Sequence, residues 1–176
     1  DDGESLDPRG RIIDPVRHVL VDGAPRALAH RDAEYTRELG EALGLAFLRD
    51  NVLQATNVLA FALLSVLRRE NPELDLVRLL RAGGKRDDVE LVIIYREVDT
   101  LLEQMTQLAQ ASRLRLSPDL QSTSADELVA DALKHFATYH TQAAVTRRGD
   151  RVFATDRPLL FYYANRLEGY GLGRPS

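Results

Sequence analysis

Four histidines, His18, His30, His135 and His140, are the side chains best suited to acid–base or metal chemistry in this 176-residue chain. Their spacing assembles no metal site. His135 and His140 are five apart, off the i, i+4 pairing that puts two imidazoles on one helix face, and no His-Glu-x-x-His occurs. Solvated or hydrogen-bonded histidines near a helix end are expected instead. Gly83-Gly84-Lys85-Arg86 is superficially like a phosphate-binding loop, but the motif's first glycine and its Ser or Thr are missing, so a helix stop and turn is expected there. There is no Gly-x-Ser-x-Gly elbow, and the absence of cysteine removes thiolate ligands, disulfides and cysteine nucleophiles. Arg147, Arg148 and Arg151 form a compact basic group that suits the phosphates of nucleic acid or lipid, or simply an exposed turn. No cofactor and no metal are expected.

Composition narrows the class further. A chain of this length can bury a real core as one domain. The net charge of -4 argues against a nucleic-acid partner, since such domains usually carry a basic excess. Met105 is the only methionine and the chain opens on Asp1, from which a segment of a longer polypeptide is expected.

Residues 1–30 are rich in Asp, Gly, Pro and Arg and are expected to be an extended lead-in, with Asp22-Gly23 turning a small hairpin after Val19-Leu20-Val21. From Arg31 or Asp32 a helix is predicted in which Tyr35, Leu39, Leu43, Ala46 and Phe47 form a stripe facing the core, with Gly40 and Gly44 admitting a close backbone neighbour. The run Val58 to Leu67, with Thr56-Asn57 as caps, is apolar on every side and belongs in the middle of a bundle. At about 1.5 Å per residue it reaches only half of a hydrocarbon core of about 30 Å.

Asp75 is predicted to cap a short helix that stops at Gly83-Gly84, and Asp87 or Asp88 to open the longest one. That long helix would bury Val92, Tyr95, Val98, Leu102, Met105, Leu108 and Ala109, with an extended exit through Ser117-Pro118. Ser124 and Glu127 fit a capping box. Period-two alternation on either side of Arg148-Gly149-Asp150 predicts a hairpin, and Asp156 with Pro158 starts a last helix that Gly169, Gly171 and Gly173 end. The expected fold is mainly α, a bundle of about six helices with a β-hairpin near the C-terminus. It is partly winged-helix-like, with residues 31–176 as one helical domain. A winged-helix binding module is therefore a rival, although Asp87, Asp88, Glu90, Glu97, Asp99 and Glu103 on the long helix suit a phosphate backbone poorly.

Three ordered blocks add a family resemblance. They are Glu34-Tyr35-Thr36-Arg37-Glu38-Leu39 followed by Asn51 to Ala60; Leu74-Asp75-Leu76-Val77-Arg78-Leu79-Leu80-Arg81; and Ser124 to Leu128, Gly149-Asp150 and Leu160-Phe161-Tyr162-Tyr163-Ala164-Asn165. Together with the lead-in Asp7 to Asp14, they resemble the region that follows the catalytic domain in bacterial glycerol-3-phosphate acyltransferases. That family transfers an acyl group from acyl-CoA or acyl-carrier protein to glycerol 3-phosphate, through an H-x-x-x-x-D motif whose histidine acts as the base. The motif is absent here: the fifth residues after the four histidines are Gly23, Tyr35, His140 and Val145. The resemblance thus implies a non-catalytic C-terminal helical domain with no catalytic residue of its own.

Its implied partner is the catalytic acyltransferase domain of the same polypeptide, with Tyr35, Arg37, Tyr162, Tyr163 and Asn165 as interface candidates. The implied location is peripheral, at the cytoplasmic face of the bacterial inner membrane, with Arg147, Arg148 and Arg151 as candidate contacts to anionic lipid. A free-standing peripheral membrane module using the same arginines is a further alternative.

Overall fold

The computed structural model describes residues 20–21, 24–25, 29–84 and 86–173. The chain divides into two compact units, Asp1–Leu48 and Arg49–Ser176. Most of the expected lead-in, including the Asp22-Gly23 turn, lies outside the described residues. Strands β1 (Leu20–Val21) and β2 (Ala24–Pro25) form a short antiparallel ladder with Val21 opposite Ala24.

Helix α1 (Ala29–Asp50) starts earlier than its sequence signal, and the fate of its stripe differs from expectation. Leu39 is 52% exposed and Phe47 73% exposed, with Leu43 also exposed. Periodicity organises a face but does not supply what covers it. Nor, among the described residues, does any atom lie within 4 Å of a side chain added at Gly40 or Gly44.

The second unit is organised around α2 (Ala55–Glu70), which packs against α4 (Leu91–Gln110), α5 (Ala125–Tyr139) and α6 (Arg157–Ala164). Val58 to Leu64 are all buried, as the unbroken apolar run requires of a central helix. Gln54 is the N-cap of α2, so Thr56 and Asn57 lie inside the first turn and not before it. The short α3 (Leu76–Ala82) packs on α6 and is capped as predicted, with the Asp75 carboxylate accepting from the Arg78 N–H at 2.7 Å. After α3, the chain passes so close to buried Asn71 that a Cβ at Gly84 would meet its amide oxygen at 2.2 Å. Asn71 in turn donates from Nδ2 to the carbonyls of Leu67 at 2.8 Å and Arg86 at 3.2 Å, which ties the end of α2 to the segment that follows α3.

Two predicted helix features are corrected. Asp88 does not open the long helix: β4 (Asp88–Glu90) pairs antiparallel with β7 (Arg151–Ala154), and α4 begins only after Glu90. Its buried face is Leu91, Ile94, Val98, Leu101 and Met105, rotated from the expected one, and Val92 is exposed. The pairing with a distant strand holds Leu91 to Asp150 and sets the rotation, which a local period cannot encode.

The hairpin β6 (Val145–Arg148) and β7 forms as expected, with Arg148 opposite Arg151 across a two-residue turn. Gly149 has φ of 62° and stands first in that turn, where a type II′ geometry asks for glycine. Beyond α4, β5 (Arg115–Leu116) pairs in parallel with β3 (Val52–Leu53), and Ser117-Pro118 leads into a 3₁₀ turn, Pro118–Leu120. The architecture is mainly helical, six α-helices and a small antiparallel sheet among the described residues.

Candidate functional site

Tyr163 occupies the centre of the third block. Asp156 caps α6 by accepting from the Leu159 N–H at 2.9 Å, and Pro158 sits in the first turn where its missing donor costs little. The helix then carries Tyr163 against α5, where its hydroxyl lies 2.7 Å from His140 Nε2 and its ring meets Phe136 edge-on at 4.9 Å. Its backbone carbonyl accepts from Asn57 Nδ2 at 3.2 Å, while Asn57 Oδ1 caps α2 through the Gln54 N–H at 3.0 Å. One buried amide therefore links the start of α2 to the last turn of α6.

Around this junction lies a cleft of about 340 Å³, within the range of small-molecule sites. Gln54, Ala55 and Thr56 line it from the start of α2, Ser117 and Asp119 from the 3₁₀ turn, and Asp131 and His135 from α5, with Tyr163 beside them. His135 Nδ1 lies 2.9 Å from the Asp131 carbonyl and 3.2 Å from its carboxylate, and both oxygens are acceptors, so Nδ1 carries the proton and Nε2 is the basic nitrogen of the neutral ring. Thr56, only 6% exposed, has a buried hydroxyl with no hydrogen-bond partner among the described residues.

The sequence-predicted residues fall in separate places. Tyr163 lines the cleft, whereas Tyr162 is exposed on the same helix and Asn165 is exposed at its end. Arg37 pairs with Glu41 at 2.7 Å on the exposed surface of α1, in the other unit; the Tyr35 side chain lies outside the described residues. At the hairpin, Arg147 Nε donates to the Gly149 carbonyl at 2.8 Å and Arg148 lies 5.2 Å from the centre of the Phe153 ring. Arg151 bonds the Asp88 carboxylate and is 3.6 Å from Glu90, so two carboxylates offset its charge. His140 is tied up near a helix end, as expected of it.

Asp119, Asp131, Thr56 and Gln54 were not legible as site residues. The i, i+4 spacing of Asp131 and His135 on a predicted helix was the available signal for that pair. No group of three or more His, Asp or Glu side chains suited to a metal ion occurs among the described residues, and no described helix is long and apolar enough to cross a membrane. The chain matches no protein-family model, no curated protein and no solved structure.

Proposed function

We propose that this chain is the non-catalytic C-terminal domain of a glycerol-3-phosphate acyltransferase, packing on and supporting the catalytic domain of the same polypeptide. The observation that carries the reading is the convergence on α6 of residues from the Asn51–Ala60 part of the first block and from the second and third blocks. Asn57 of the first block holds the Tyr163 carbonyl of the third, α3 of the second packs on the same helix, and Phe136 on the helix begun by Ser124 meets the Tyr163 ring. Blocks that are far apart in sequence thus serve one junction, which gives their order and spacing a physical purpose. Exposed Tyr162 and Asn165 beside that junction are the contacts offered to the catalytic domain. The parent's reaction at the cytoplasmic face of the inner membrane would hold the assembly there peripherally.

The reading has two measurable consequences. The purified chain should transfer no acyl group from palmitoyl-CoA to glycerol 3-phosphate, because it has no H-x-x-x-x-D. The coding sequence upstream of Asp1 should encode that motif. Turnover by the pure chain, or an upstream frame without the motif, would overturn the assignment.

A further inference from the structure

A groove of about 650 Å³ lies between the C-terminal turns of α4 and the segment that leads through β5 into the 3₁₀ turn, and the accessory-domain reading makes no use of it. Its apolar lining is Ala109 on α4, Leu114 and Leu116 on either side of Arg115, Val52 on β3 and Pro118 at the start of the turn. The parallel ladder sets Val52, 52% exposed, beside Arg115, and so extends the apolar surface across two strands. Among the described residues, Arg115 is the only ionised one that lines the groove; the other polar lining groups are uncharged hydroxyls and amides. Its exposed side chain has no hydrogen-bond or ion-pair partner among the described residues, whereas Arg147 and Arg151 of the hairpin are both engaged. Asp119, the nearest carboxylate in sequence, lines the other cleft, at the start of α2.

We propose that this groove binds an aliphatic monocarboxylate, its chain along the apolar lining and its carboxylate on the Arg115 guanidinium. The planar fork of an arginine matches the two oxygens of a carboxylate, and with no acidic side chain in the lining nothing in the groove competes for it. Water and salt screen an exposed ion pair, so the charge contact alone would hold a ligand weakly. The apolar lining supplies the rest, because every methylene removed from water adds to affinity, and the volume lies within the range of small-molecule sites. A cation finds no carboxylate there, and a neutral chain leaves the arginine unused.

Calorimetric titration of the whole chain with decanoate tests this, with acetate as the charge without the chain and decyltrimethylammonium as the chain with the opposite charge. Saturable one-to-one binding of decanoate is expected, with octanoate weaker by about fourfold or more for its two missing methylenes. Acetate and decyltrimethylammonium should each be weaker by about tenfold or more. Arg115→Gln, at an exposed position, should weaken decanoate binding by about tenfold. Arg113→Gln removes an equal charge two residues away, outside the lining, and should bind like the parent chain. Thr106→Phe, at an exposed position of α4 that lines the groove, should fill it and weaken binding by about tenfold, with an unchanged thermal midpoint showing that the fold is intact. The proposal is overturned if decanoate does not bind saturably, or if acetate or decyltrimethylammonium binds as tightly. It is equally overturned if Arg113→Gln weakens binding as much as Arg115→Gln does, or if Arg115→Gln or a folded Thr106→Phe chain binds like the parent.

Discussion

Asn57 and Thr56 are neighbours in the first turn of α2 with opposite energetic signs. Asn57 is buried and fully used: it accepts from Gln54 and donates to Tyr163. Truncating it to Ala strands a backbone donor and a backbone carbonyl, and should destabilise the fold by about 1–3 kcal/mol in urea denaturation. Thr56 is buried with an unused hydroxyl, so the isosteric Thr56→Val should raise stability by about 1 kcal/mol in the same measurement. Equal changes of the same sign in both variants would contradict this division.

Three helix starts were legible from their caps. Asp75, Asp156 and the Ser124–Glu127 box cap the helices predicted from them, because a cap is a bond between residues three apart and needs no distant partner. Asp156→Ala should therefore cost about 1 kcal/mol, read as a lower denaturant midpoint. Part of that loss should appear as weakened near-ultraviolet signal from Tyr163, which α6 carries. The long helix shows where local reading stops. Asp88 has the chemistry of a cap, yet β7 recruits it into a ladder opposite Phe153, and the start of α4 moves past Glu90. Gly149 at the hairpin turn was legible for the same reason as the caps, since a two-residue turn dictates its own backbone.

Across the whole molecule, the last buried residues close the core from the C-terminal side. Tyr170 is among them, and burial pushes its phenol above the ordinary value of 10.0, opposed by a hydrogen bond with Asn51. Above that ordinary value the unfolded chain releases the tyrosine proton while the folded chain retains it, so the folded state binds more protons and stability falls as pH rises. Tyr170→Phe should lose less stability than the parent chain between about pH 9 and 11, measured by thermal unfolding. An identical alkaline slope would show that Tyr170 does not govern it.

By itself the sequence determined the mainly helical class, the central position of the apolar α2, the capped helix starts and the hairpin, because each depends on periods and spacings within a few residues. It also contained the ordered blocks and lacked the H-x-x-x-x-D. Tertiary structure alone decided that Tyr163 meets His140 and Asn57, that Arg151 is offset by Asp88 and Glu90, that Leu39 and Phe47 of α1 stay exposed, and that Asp119, Asp131 and Thr56 share one cleft. These pairings join residues tens of positions apart, and a local pattern can give a face its polarity without saying which distant surface will meet it.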